Sequence, residues 1–178
     1  LGFDGRTMTL TTGKKLEAAA LQAGGTANGQ VSLADVIWAD RPPLPDSEVW
    51  SMPLNWTGQT RGDKITQLRE ALRDSGADCH VLTSLDDICW LLNIRGDDIP
   101  CFPVVLSFLI LDKEQIRLYL DPEKLHPRMR GFLEADGVSI LPYLQFFDDL
   151  RTLTGTVLGD PNKLSYFAAK QILGALLE

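Results

Sequence analysis

The chain has 178 residues, with 17 Lys plus Arg against 24 Asp plus Glu, a formal net charge of −7 and an apolar fraction of 44 %. That is enough for one domain with a real core, or for one domain and part of another. The acidic balance argues against nucleic acid or an anionic membrane surface as a partner, because phosphate binding draws on surplus Lys and Arg, and no apolar run of about 18 residues is present to span a bilayer.

No basic segment followed by an apolar stretch marks a secretory signal. A first residue of Leu1 rather than Met points to a start inside a longer protein. Gly2 to Leu10 reads as a short strand, and Gly13 to Ala23 as a helix with Leu16, Ala19, Ala20 and Ala23 on one side, stopped by Gly24-Gly25. Ala27 to Gln30 is loop and Val31 to Trp38 a short apolar segment. Pro42, Pro43 and Pro45 then make Ala39 to Asp46 a stiff extended connector, because proline suits neither a helix interior nor a central strand. Residues 1–38 are too few to bury a core of their own, so they read as the tail of a domain that begins earlier.

From Thr60 onward the alternation is regular. Thr60-x-x-Asp63 resembles a capping box and opens a helix with Ile65, Leu68 and Leu72 in one stripe, ending near Gly76. Ala77 to Thr83 is a strand. Ser84-x-x-Asp87 opens a second helix through Ile88, Leu91 and Leu92, and Asn93 to Pro103 is loop. The apolar run Val104 to Leu111 is a strand covered on both faces. A turn at Asp112 to Gln115 joins it to Ile116–Leu120, which predicts an antiparallel hairpin. Pro122 opens a helix through Leu125, Met129, Phe132 and Leu133 to Gly137. Val138 to Leu141 is a strand, Leu144 to Leu150 a helix and Thr156 to Leu158 a strand. Ser165 caps a last helix carrying Tyr166, Ala169, Leu173 and Leu176. Strands alternating with helices predict an α/β fold, and the hairpin makes its sheet mixed.

Chemistry-bearing residues are sparse. Cys79, Cys89 and Cys101 form no disulfide framework and no close metal-binding pair. They fit ordinary buried or half-buried thiols in a reducing compartment. His80 and His126 are the only histidines, and no GxSxG elbow or qualifying glycine-rich phosphate loop is present. Asp86-Asp87 suits a helix start and Asp148-Asp149 the polar side of a helix, so a carboxylate metal site is disfavoured. Trp38, Trp50 and Trp56 flank the proline connector and suit packing between domains. Trp90 lies among Ile88, Leu91 and Leu92 and reads as core, where truncation costs about 3–5 kcal/mol. The segment Asn93-Ile94-Arg95-Gly96-Asp97-Asp98-Ile99-Pro100 stands out as a charged loop between rigid elements. Arg95 either pairs with Asp97 or Asp98 and stiffens the turn, or serves a ligand.

The stretch Leu85-Asp86-Asp87-Ile88-Cys89-Trp90-Leu91-Leu92-Asn93-Ile94-Arg95-Gly96-Asp97-Asp98-Ile99-Pro100, with Pro103-Val104 and Ser107-Phe108-Leu109 after it, resembles the middle domain of three-domain Xaa-Pro aminopeptidases. These belong to the creatinase/prolidase family of metallopeptidases. Upstream, Leu33-Ala34-Asp35-Val36-Ile37-Trp38-Ala39-Asp40-Arg41-Pro42 is similar to the end of that family's first domain. Gly2-Phe3-Asp4 is similar to an earlier turn of it, and Gly58 with Lys64-Ile65-x-x-Leu68-Arg69 to the start of its second domain. Asp97 stands where Ser is common, and Cys101-Phe102 where a Tyr-Asn type pair is common.

The resemblance implies three-layer α/β/α, ribonuclease-H-like architecture with a mixed sheet. Residues 58–178 would form a second creatinase N-terminal-like domain, and residues 1–57 the end of a similar first domain with its proline-rich linker. It places catalysis in a third domain expected to begin just after Glu178, where two divalent metals, usually manganese, are held by two Asp, one His and two Glu. No catalytic residue and no metal ligand then falls within this chain. The implied role is a non-catalytic region that shapes the active-site mouth, supports a homodimer and limits substrates to short peptides with proline second. The implied location is cytoplasmic, with no nucleic-acid or membrane partner. Arg95, Asp97 and Asp98 are the substrate-side candidates. The alternative is a stand-alone α/β module for binding or dimerisation without peptidase activity. A carboxylate-metal nuclease is disfavoured by the net charge of −7 and the lack of a basic stripe.

Overall fold

The structure, a computed structural model, describes residues 1–178, Leu33 by its backbone alone. In chain order the elements are α1 (Leu10–Gln22), α2 (Leu33–Ile37), β1 (Trp50–Ser51), α3 (Leu54–Thr57), α4 (Arg61–Asp74), β2 (Cys79–Leu82), α5 (Leu85–Leu92) and β3 (Ile94–Arg95). There follow β4 (Phe108–Asp112), β5 (Ile116–Leu120), a 3-10 turn at Pro122–Lys124, α6 (Pro127–Ala135), β6 (Val138–Pro142), α7 (Gln145–Leu150), β7 (Thr156–Leu158), α8 (Tyr166–Gln171) and β8 (Ala175–Leu177). Among the described residues no helix is long and apolar enough to cross a membrane.

The central sheet has the order β6-β5-β4-β2-β7-β8. β4 pairs antiparallel with β2 and β5, whereas β5–β6, β2–β7 and β7–β8 are parallel, so the sheet is mixed. Successive side chains of a strand face opposite sides, and the buried residues divide accordingly. Leu82, Leu109, Leu111, Leu118 and Leu120 meet Ile65 and Leu72 of α4, Ile88, Leu91 and Leu92 of α5, and Leu133 of α6. Val81, Ile110, Tyr119 and Val157 meet Phe146 and Leu150 of α7 and Ala168 of α8 on the other side. Helices on both faces of one sheet make the three-layer α/β/α arrangement, and explain why the β4 segment reads as a continuous apolar run.

Side-chain caps set several of the helix starts. Thr60 Oγ1 accepts from the Asp63 N–H at 3.1 Å, and Ser165 Oγ accepts from the Ala168 N–H at 3.2 Å. Ser84 makes no such bond; its hydroxyl donates to the Asp86 carboxylate instead. Elsewhere the sequence expectations need correction. Gly2 to Leu10 is not a strand: isolated bridges, Gly2 to Asn28, Asp4 to Gln30 and Thr9 to Ser165, form there, and Thr9 caps a helix that begins at Leu10. Val104 to Ser107 lies outside the ladder, because the Val105 N–H donates to Cys89 Sγ and the Leu106 N–H to the Asp98 carboxylate. The helix expected from Pro122 is split, since a second proline, Pro127, takes the first position of α6 behind His126. The last helix stops at Gln171, and Leu173 and Leu176 are not on it. Gly174 brings the backbone so near Gly155 that a Cβ would lie 2.5 Å from its carbonyl oxygen, and Ala175 then starts β8.

The N-terminal stretch is stitched onto α8. The Tyr166 and Phe167 N–H groups donate to Met8 O and Gly5 O, and the Leu10 N–H donates to Leu164 O. The buried Tyr166 ring fills the seam, lying where Cβ atoms on Gly13 and Gly29 would sit 2.2 Å and 2.5 Å from it. Glycine is demanded here by close approach, not by backbone conformation. Gly13→Ala should therefore overpack the seam and lower stability by about 1–3 kcal/mol; a urea midpoint equal to that of the parent chain would show that Tyr166 yields freely.

Candidate functional site

The charged loop is anchored at both ends. Asn93 closes α5 in the left-handed region, at φ 52°, a conformation that Asn tolerates better than most residues. Its side chain then works in both directions, accepting from Lys64 Nζ at 2.6 Å and donating to Gln59 O at 2.9 Å. Lys64 is buried and also donates to Trp90 O at 2.8 Å. Burial first, and the nearby Arg95 cation second, hold the Lys64 ammonium below the ordinary lysine range.

Trp90 is not core: it is 53 % exposed, and the Lys64 ammonium sits 4.2 Å from its ring centroid. The residue lies on the outward side of α5, with the Lys64 ammonium over its ring. Its truncation would remove a cation–π contact and half-covered surface, not a core filling. Trp38, Trp50 and Trp56 are exposed as well. Of the thiols, Cys79 and Cys89 are buried and Cys101 is exposed. Burial pushes the Cys79 thiol up to about 11 and raises Cys89 too, which keeps both protonated and poor as nucleophiles.

The next residues form β3, which the sequence reading left as loop. It pairs antiparallel with β1, Trp50 opposite Arg95 and Ser51 opposite Ile94. Two-residue strands carry little periodicity, so only the pairing itself reveals them. Arg95 is half-buried, and its Nη1 donates to Cys89 O at 3.1 Å and Ile94 O at 2.7 Å. Neither Asp97 nor Asp98 pairs with it; among the described residues no carboxylate lies within 4.0 Å of its guanidinium. The turn-stiffening ion pair is therefore absent. Gly96 is buried beside Val105, whose Cγ2 would stand 3.0 Å from an added Cβ, a tight contact that Val105 would have to yield to.

The two acids separate. Asp97 is exposed, and its backbone N–H donates to Ser47 Oγ at 3.1 Å. Asp98 turns inward with a side chain 0 % exposed. One oxygen accepts from Ser47 Oγ at 2.6 Å; the other accepts from the Leu106 N–H at 2.6 Å and pairs with Lys124 Nζ, itself 2 % exposed. Asp98 is thus spent on holding the linker, the loop and the 3-10 turn together and is out of reach of a ligand. The sequence signal that was missed is Lys124, which reads as an ordinary surface lysine. Ser47 lies just past the proline connector read at Ala39 to Asp46.

Relatives place this geometry in a wider setting. The model of the creatinase/prolidase N-terminal domain matches residues 40–176. The Xaa-Pro aminopeptidase app-1 of Caenorhabditis elegans is 39 % identical over 147 residues, 80 % of this chain and 23 % of its own length. The probable Xaa-Pro aminopeptidase P of Ajellomyces capsulatus (strain H143) is 34 % identical over 155 residues, 86 % of this chain and 24 % of its own. The crystal structure of X-prolyl aminopeptidase from Caenorhabditis elegans, described as a cytosolic enzyme with a di-nuclear active site, superposes with a TM-score of 0.89 at 31 % identity. That superposition covers 98 % of this chain and 30 % of the other. The chain spans about a quarter of the length of the curated relatives it matches.

Losing one side of a buried ion pair leaves an uncompensated charge inside the protein, a cost of about 3–5 kcal/mol. Lys124→Met should lower the unfolding free energy in urea by that amount, with Lys124→Met/Asp98→Asn recovering part of it. A loss under about 1 kcal/mol for the single variant would mean that water reaches Asp98.

Proposed function

This chain belongs to the creatinase/prolidase N-terminal domain family, and on that premise we propose that it is the non-catalytic N-terminal region of a Xaa-Pro aminopeptidase. The observation that carries the reading is the near-complete overlay on an X-prolyl aminopeptidase, 98 % of this chain at a TM-score of 0.89. The parent enzyme releases an N-terminal residue that precedes proline, in the cytoplasm, with two divalent ions, manganese, at a catalytic centre outside these residues. Among the described residues no three His, Cys, Asp or Glu side chains converge on a point that could hold a metal. The donor set here does not suit those ions. Its part is to shape the mouth of the active site, to support a homodimer and to favour short peptides with proline second.

Arg95 is the residue best placed for that part. Two carbonyl oxygens fix one edge of its guanidinium, and no carboxylate of the described residues neutralises it. A short peptide brings a C-terminal carboxylate, which matches the planar fork of donors that Arg alone provides. Exposed Asp97 borders the same spot and would disfavour acidic side chains nearby; Asp98 supports the loop from beneath.

In the full-length enzyme, Arg95→Lys keeps the charge and loses the fork. kcat/KM for a short Xaa-Pro peptide should fall about tenfold, equivalent to ~1.4 kcal/mol of transition-state binding, while the melting temperature stays in place. Unchanged kcat/KM with a melting temperature several degrees lower would make Arg95 a structural residue and remove it from the mouth.

A further inference from the structure

A second site is suggested at the other end of α5, independent of the reading above. Strands β2 and β7 are parallel neighbours, with Cys79 opposite Val157 and His80 opposite Leu158. The chain leaves β2 for α5 on one face of the sheet and leaves β7 for α8 on the other face. The two connections diverge and open a crevice beyond the carboxyl ends of the strands, the place where open α/β sheets take ligands. A cavity of about 150 Å³ occupies it, lined by Val81 and Leu82 together with His80, Thr83, Ser84, Asp87, Asp160 and Lys163. An apolar groove of about 330 Å³ adjoins it between α4 and α5, sharing His80, Leu82 and Asp87 and running past Leu68 and Leu91 to Trp90.

The polar end has unused bonding capacity. His80 Nδ1 is buried and has no hydrogen-bond partner, an omission that proteins seldom leave without a reason. Burial holds this imidazole below its ordinary range, against the pull of Asp87 and Asp160, which both face it. It is therefore neutral near pH 7, and with the proton on Nε2 its Nδ1 accepts a hydrogen bond. Asp87 is paired with Lys163, and Asp160 receives only the Asn162 N–H, at 2.8 Å. Two carboxylates against one ammonium, beside an acceptor nitrogen, select a cationic donor and repel an anion.

We propose that this crevice binds a protonated primary amine carried on an apolar body, the ammonium placed among His80 Nδ1, Asp87 and Asp160 and the body lying in the groove that ends at Trp90. The ammonium supplies the donor that His80 lacks and balances the second carboxylate. The groove covers an aliphatic chain of about leucine size, and Lys64 closes its far end with an ammonium already turned to Trp90 O and Asn93.

The test uses the 178-residue chain and four probes, followed by calorimetry and by amide and indole NMR shifts. The probes are leucinamide, N-acetyl-leucinamide, isocaproate and Leu-Gly-Gly-amide. Leucinamide should saturate the chain and move the signals of His80, Asp87, Asp160 and the Trp90 indole. The acetylated compound should bind at least about tenfold more weakly. Asp160→Asn, at an exposed position, should weaken leucinamide about tenfold and leave the melting temperature unchanged, and His80→Phe should do likewise without the loss of fold that a core histidine would bring. Tighter binding of leucinamide than of the peptide amide would identify a free small amine as the ligand, and the reverse a polypeptide N-terminus; both support the amine site. Equal binding of acetylated and free compounds, preference for isocaproate, or no shift at these residues up to ~10 mM leucinamide would overturn it.

Discussion

A single buried carboxylate sets the geometry of the charged loop. Asp98 accepts from Ser47 Oγ, from the Leu106 N–H and from Lys124 Nζ, and these groups come from the linker, from the approach to β4 and from the 3-10 turn after β5. Lys124 then passes the constraint on, because its carbonyl oxygen accepts from the Val49 N–H at 2.9 Å. Val49 is core, and β1 begins at the next residue. Burying two charges is expensive, and good geometry with every lone pair used is what makes it tolerable. What the arrangement contributes is position: it holds β1 against β3, and so fixes where Arg95 lies.

Two buried lysines flank this loop and behave differently for a physical reason. Lys124 meets a carboxylate, whereas Lys64 meets only neutral oxygens, from Trp90 and Asn93, and an aromatic face. Lys64 therefore carries its desolvation without an opposing charge, and Arg95 adds repulsion. Lys64 and Arg95 lie near one another, and among the described residues neither is paired with a carboxylate, in a protein of net charge −7. The amino end of the same helix carries Asp86 and Asp87. One helix thus carries acids in its first turn and has the Lys64 and Arg95 cations near its carboxyl end.

How much of this was legible in the sequence varied by element. Helices with caps and stripes, such as α4 with Thr60, Ile65 and Leu72, were readable because several signals agreed. So was the β4–β5 hairpin. Segments whose backbone bonds go to side chains were not: Val104 to Ser107 is apolar enough for a strand, yet the N–H groups of Val105 and Leu106 are taken by Cys89 and Asp98. Leu173 and Leu176 fit a helical stripe on spacing alone, but the chain ends as an edge strand that Gly174 admits. Trp90 was misplaced because an apolar neighbourhood in sequence does not say which side of the helix faces out. Arg95 stood out as a candidate; the fate of Asp98 depended on Lys124, which is 26 residues away and could be found only in three dimensions.

The central claim is that Asp98 locks the linker and the loop into the main fold as one cooperative unit. Native-state hydrogen exchange at the amides of Val49, Met52, Asp97 and Leu106 tests it directly, since each donates to a partner in or beside this junction. The account predicts that they exchange only through opening nearly as costly as global unfolding, alongside the amides of β4. Exchange of these four amides through low-energy local opening, while β4 stays protected, would contradict it.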